Sequence, residues 1–181
     1  MGRRNAFKLD VVSVRLVRDA PLYSEVAIEG PEEAVSLVGE ILCGMDREIV
    51  CVLNLNGDGK PINCNFASMG ALNYSIVHPR ELLKTGILSN AASMLLVHNH
   101  PSASLSPSKA DVSVTDRMQK ICEMVGIPLE DHIIVGGDNR EYFSFKEKGI
   151  MKNACIHYAT SPEYLDWGRD AGLIGKGVGV R

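Results

Sequence analysis

The residues whose types and spacing could do chemistry are His98, His100, Ser108 and Asp111, in the stretch HNHPSASLSPSKAD. Side chains repeat every second residue on an extended segment, so two histidines one residue apart turn a ring nitrogen to the same side. Asp111 lies three positions after Ser108, which puts the two on one face of a helix. A strand ending in His-x-His, a short loop and a helix starting at Ser-Pro-Ser would bring two imidazoles and one carboxylate together. Three such ligands with a fourth position left for water form the catalytic kind of zinc site. His98, His100 and Asp111 are thus the expected metal ligands, and zinc the expected ion. The bland alternative makes the histidines a hydrogen-bonded pair at a strand end, Asp111 a helix-face acid and Ser108 a helix cap.

Water activated by zinc needs a nearby carboxylate to take its proton and pass it to the leaving amine. Glu40, Glu48 and Glu81 compete for that role. Glu40 falls in an expected helix, and Glu81 in the first turn of another, where the helix dipole favours an acid anyway. Glu48 opens an apolar strand. Other zinc hydrolase patterns are missing: there is no H-E-x-x-H helix, and no H-x-E paired with C-x-x-C.

The elements that must position these residues can be read from periodicity. Residues 8–18, KLDVVSVRLVR, are Val-rich and partly alternating and predict a strand. Pro31 opens PEEAVSLVGEILCGM, with acids in its first turn and an apolar face of Ala34, Leu37, Val38 and Ile41; this predicts a helix ended by Gly44. EIVCVLNL at 48–55 predicts a strand covered on both sides. NGDG at 56–59 predicts a hairpin turn, with KPINCNFASMG as its return strand. HPRELLKTGILSN predicts a helix and SMLLVHNH the next strand. The long helix SPSKADVSVTDRMQKICEMVG is expected to take Ser106 as N-cap and Pro107 as its first residue. DHIIVGG and REYFSF predict a closing pair of strands, and KEKGIM a short terminal helix. Alternating strands and helices imply an α/β fold, a mixed sheet flanked by helices.

Composition fits a single soluble domain. The chain has 181 residues, 45% hydrophobic and 23% charged, with a net charge of −3. That charge argues against broad nucleic-acid binding, although Arg3, Arg4, Lys8, Arg15 and Arg18 gather near the N-terminus. No run approaches the ~20 apolar residues of a membrane helix, and MGRRNAFKLD is no secretory signal. The five cysteines are scattered without a C-x-x-C, which fits a reducing cytoplasm. Cys51 and Cys122 read as core fillers. Three segments follow: an N-terminal strand segment 1–30, a main domain 31–151 and a tail 152–181. The tail carries Tyr158, Tyr164, Leu165 and Trp167 and alternating Gly175, Gly177 and Gly179, and is expected either to be a mobile end or to serve self-association.

His-x-His, seven residues, Ser, two residues, Asp resembles the JAMM motif of MPN/JAB metalloproteases. VHPREL at 77–82, LLVHNHPS at 95–102, PSKAD at 107–111, DHIIVG at 131–136 and SFKEKG at 144–149 are similar to the RadC family within that group. The resemblance covers roughly residues 35–151. It implies a cytidine-deaminase-like arrangement and hydrolysis of a peptide or isopeptide bond, with a ubiquitin-like modifier among the expected substrates. It also implies that Glu48, in Arg47-Glu48-Ile49-Val50, is the base, and that Ser108 hydrogen-bonds the oxyanion. The family name implies the rival reading, a DNA-associated accessory protein in repair or in a mobile element, with the metal but no peptidase activity. Two departures stand out. Relatives usually have glycine after HNHPS where this chain has Ala103, which predicts a different loop path beside an intact site. Many also begin with a helix-hairpin-helix-like region, for which too few residues precede the MPN-like part. His132 is expected either to support a zinc ligand or to pair with a backbone group; His78 sits at a helix start, and His157 carries no signal.

Overall fold

A computed structural model describes residues 13–19, 21–24, 26–69, 78–138 and 141–151 of the chain. Five strands and three helices follow one another: α1 (Pro31–Cys43), β1 (Ile49–Leu55), β2 (Pro61–Met69), α2 (Pro79–Leu88), β3 (Ser93–Asn99), α3 (Lys109–Val125), β4 (Leu129–Val135) and β5 (Tyr142–Ser144). They build one mixed sheet in the order β2-β1-β3-β4-β5. The β3–β4 pair is parallel and the others are antiparallel. A parallel pair needs a long crossover, and α3 supplies it.

Strand alternation sorts the core onto two faces. Cys51, Leu53, Leu95, Val97, Ile133 and Val135 pack under α1 with Ala34, Val38 and Leu42. Val50, Val52, Met94 and Leu96 point the other way, against Leu82 of α2 and Met118 and Cys122 of α3. Covering both faces explains why β1 and β3 are buried along their whole length. Even-numbered residues of these two strands therefore face α2 and α3, and His98 is among them.

Helix ends follow their signals. Pro31 and Pro79 start α1 and α2, and Gly126 closes α3 in the left-handed conformation at φ 72°. Gly86 of α2 packs so close to β1 and β3 that a Cβ there would lie 2.7 Å from Met94 Cε and 2.9 Å from Asn54 Oδ1.

Three expected elements differ. The long helix is capped by Ser108 and not by Ser106, because the Ser108 hydroxyl accepts from the Asp111 N–H while the Asp111 carboxylate accepts from the Ser108 N–H. The expected short helix in KEKGIM is a turn over residues 145–149, closed by Gly149 at φ 66°, with the Phe145 carbonyl accepting from Ile150 and Met151. Residues 13–18 of the expected N-terminal strand form no strand; its earlier part and the tail 152–181 lie outside the described residues.

Cys51 and Cys122 are buried, as core fillers should be. Cys64 differs. The thiol hydrogen bond from Cys51, diagonally across the β1–β2 pair, draws Cys64 down to about 7, while that bond and burial push Cys51 up. Burial raises Cys122 to about 12. Only the thiolate reacts with alkylating agents. Native protein treated briefly with iodoacetamide near neutral pH should therefore be modified at Cys64 well before Cys51 or Cys122. Peptide mass mapping reads the order, and equal labelling of the three would contradict this account.

Candidate metal centre

The site lies where β1 begins and β3 ends. Val50 pairs with His98 in the antiparallel register, so one step beyond each strand Glu48 stands opposite His100. The residue between the histidines does the clamping. Asn99 Oδ1 accepts from the Ile49 N–H at 2.9 Å, and its Nδ2 donates to the Arg47 carbonyl at 3.1 Å. Both peptide groups flanking Glu48 are thereby tied to the histidine strand. The first turn of α3 then delivers Asp111.

Potential ligand atoms of Glu48, His98, His100 and Asp111 all lie within 4.8 Å of one another. His98 Nε2 and His100 Nε2 are 3.1 Å apart. Asp111 places Oδ1 at 3.4 Å from His98 Nε2 and Oδ2 at 3.4 Å from His100 Nε2. His98 and Asp111 are buried, while Glu48 and His100 are partly open to solvent. One side of the cluster is thus fixed in the protein and the other is accessible.

The donor set fits a divalent cation. His100 Nδ1 lies 2.7 Å from the Ser104 carbonyl, which can only accept, so Nδ1 carries the hydrogen. In the neutral ring Nε2 is then a bare lone pair. That lone pair, a second imidazole nitrogen and a carboxylate converge on one spot, an arrangement that a metal ion would satisfy. Two imidazole nitrogens and carboxylate oxygens are ligands that suit zinc.

The local electrostatics agree. The hydrogen bond to Asp111 raises His100 above the ordinary histidine value, against the effect of its burial. Burial pushes Asp111 up, but hydrogen bonds from His100 and Ser108 and the nearby His98 hold it well below the usual carboxylate range. Burial raises Glu48, and the Asp111 charge raises it further. His98 is driven well down by burial and by its neighbour His132.

His132 belongs to this cluster. Its Nε2 lies 2.9 Å from His98 Nδ1, and its Nδ1 lies 2.6 Å from Thr115 Oγ1. Its ring stacks on Phe145 at 5.0 Å, and burial lowers its pKa to about 4. Thr115 escaped the sequence reading. The available signal was its spacing, four residues after Asp111 on the same helix face.

The other glutamates stand apart. Glu81 pairs with Lys84 on the surface and Glu40 is exposed on α1. Ser108 spends an oxygen lone pair on the helix cap, which leaves its hydroxyl hydrogen to donate elsewhere. Ala103 overturns the expected loop path. It adopts φ 57°, the left-handed conformation a glycine would take, with its N–H closing a turn onto the His100 carbonyl at 2.8 Å. The His100–Ser104 bond and this turn hold the shape at a cost of about 1–2 kcal/mol for a residue with a Cβ.

A cavity of about 600 Å³ lies at the opposite end of the sheet, between Ile28, Pro31, Leu55, Ser93 and Asp131. It shares no residue with the histidine cluster. Asp131 is already engaged there by Ser144 Oγ and by the N–H groups of His132 and Lys146, which tie β4 to the following turn. Among the described residues, no helix is long and apolar enough to cross a membrane.

Comparison with known proteins adds the family context. A family model described as RadC-like JAB domain matches residues 28–150. A UPF0758 protein of Desulforamulus reducens is 44% identical over 131 residues, covering 72% of this chain and 57% of that protein. A UPF0758 protein of Clostridium acetobutylicum is 42% identical over 129 residues, covering 71% of this chain and 56% of that protein. A UPF0758 protein of Shouchella clausii is 42% identical over 137 residues, covering 76% and 58%. The chain thus spans a little over half the length of these curated relatives.

Proposed function

Because this chain belongs to the RadC-like JAB domain family, we propose that it is a zinc-dependent hydrolase of the JAMM type, cleaving a peptide or isopeptide bond. The observation that carries the reading is the convergence of His98 Nε2, His100 Nε2 and the Asp111 carboxylate beside the half-open Glu48. His98, His100 and Asp111 would hold the ion. When bound, it supplies Lewis acidity to the scissile carbonyl and makes water acidic enough to lose a proton near neutral pH.

The chain's own groups do the rest. Glu48 takes the proton from the attacking water and returns it to the departing amine. Its raised proton affinity suits that exchange. Asn99 keeps Glu48 facing His100 through the two flanking peptide groups. The Ser108 hydroxyl hydrogen donates to the oxyanion as charge develops on it. Loop 101–106 joins the histidine strand to α3 and borders the substrate groove. The substrate is a chain with an amide carbonyl that can approach from the Glu48 side, such as the isopeptide of a ubiquitin-like modifier.

The test is hydrolysis of a panel of fluorogenic peptides and isopeptide-linked conjugates. Activity should vanish with chelator and return with zinc. A panel left untouched by zinc-loaded protein, together with salt-dependent DNA binding, would favour the DNA-associated role instead.

Proton competition gives a further expectation. Cation binding must displace the proton that His100 holds more tightly than an ordinary histidine does. Zinc affinity should therefore fall as pH drops, by about tenfold per unit on the acid side of the His100 titration. Competition titrations with a chromophoric chelator at several pH values measure the slope. A flat profile would contradict the assignment of His100 as a ligand.

A further inference from the structure

We propose that Thr115 and His132 are positioning residues of this centre, locking His98 in the one tautomer that leaves Nε2 bare toward Asp111 and His100. The inference rests on the metal reading above for its functional meaning, but its structural content stands on hydrogen-bond directions and the burial of His132.

The directions can be traced from a group that has no choice. The backbone carbonyl of Asp111 can only accept, and Thr115 Oγ1 lies 2.6 Å from it. The single hydroxyl hydrogen of Thr115 is committed there, so Oγ1 must accept on its other side. The group 2.6 Å away on that side is His132 Nδ1, which must therefore carry a hydrogen. His132 is 1% exposed, and its ring is packed against Phe145. Both its hydrogen-bond partners are uncharged side chains, Thr115 and buried His98. A buried ring without a directly bonded counter-ion is neutral and has one N–H. With that hydrogen on Nδ1, His132 Nε2 is an acceptor. His98 Nδ1, 2.9 Å away, must then donate to it. His98 Nε2 is left without a hydrogen, 3.4 Å from Asp111 Oδ1.

The chain of hydrogen bonds thus starts at the Asp111 carbonyl and ends beside the Asp111 carboxylate. One residue of α3 anchors both the tautomer of His98 and the carboxylate beside its Nε2. The neighbouring histidine is set more simply, by a single bond from its Nδ1 to the Ser104 carbonyl. Removing the Thr115 hydroxyl releases the far end of the relay. His132 can then move its hydrogen to Nε2, His98 Nδ1 becomes the acceptor, and a hydrogen on His98 Nε2 blocks the cation position.

Two measurements on the full chain test this. Long-range proton–nitrogen NMR of the metal-free protein reads histidine tautomers directly. His98 should be the Nδ1–H form in wild type and in Thr115→Ser, and should shift toward the Nε2–H form in Thr115→Val. A wild-type His98 in the Nε2–H form would overturn the proposal whether or not zinc binds. Zinc competition titration is the second readout. Thr115→Val should lose about 10–100-fold in affinity, the usual effect of removing such a supporting partner, while Thr115→Ser stays near wild type. Equal affinities in folded Thr115→Val and wild type would overturn it. Should Thr115→Val fail to fold, His132→Gln and His132→Leu replace it: the glutamine oxygen can still accept from His98, so affinity should fall more in the leucine variant, and equal losses would overturn the proposal. If wild type binds no zinc, the metal reading falls while the tautomer result still decides the relay.

Discussion

Glu48→Gln should keep the fold and its zinc while losing ~10²–10⁴-fold in turnover of any substrate the wild type cleaves, the range expected for a general base. The substitution keeps size and shape, and the bonds that hold this segment run from Asn99 to the backbone on either side, not to the Glu48 side chain. What it removes is the proton acceptor. Glu81→Gln serves as the control. That carboxylate is paired with Lys84 on the surface, where solvent screens the pair, and its loss should leave turnover unchanged. Steady-state kinetics with matched zinc occupancy decides the matter, and near-wild-type turnover in Glu48→Gln would move the base elsewhere.

The double variant His98→Ala/His100→Ala should lose specific zinc binding altogether. It removes both nitrogens of the set and leaves Asp111 as the sole buried anion of the cluster. The expected readout is thermal. A ligand at 1,000 times its dissociation constant stabilises a fold by about 4 kcal/mol. Wild type should therefore gain several degrees in Tm on adding zinc, and the double variant none. The comparison must be made with metal-free proteins of each kind. His98 is buried and bonded to His132, so its loss alone costs about 1–3 kcal/mol. An equal zinc-induced rise in both proteins would place the ion outside this cluster.

Much of this was legible in the sequence because the signals were local. His98 and His100 share a strand face by simple alternation, and Ser108 and Asp111 share a helix turn. The apolar run before His98 and the Pro and acid signals before α1 were enough to place those elements. Glu48 was harder. It is fifty residues from His98, and nothing in its own neighbourhood says that β1 lies antiparallel beside β3 with Val50 opposite His98. Only the family resemblance selected it over Glu40 and Glu81. The cap of α3 was misplaced by two residues because Ser106-Pro107 carries as good a start signal as Ser108; the reciprocal bonds between Ser108 and Asp111 decide it. Ala103 was misjudged for a different reason. A Cβ makes positive φ costly, but a turn closed onto His100 and a ring bond to Ser104 outweigh a cost that small. Asn99 was invisible because it acts through the backbone of Arg47 and Ile49, which composition and spacing do not reveal, while the spacing of Thr115 from Asp111 gave no hint of its bond to His132.

The central claim is that His98, His100 and Asp111 hold one metal ion. Its most direct test is metal analysis of the full chain after zinc loading and removal of excess ion, run alongside Asp111→Ala. About one zinc per wild-type chain and a small fraction of that in the variant are expected. A wild-type chain that retains no zinc, or a variant that retains it in full, would contradict the claim.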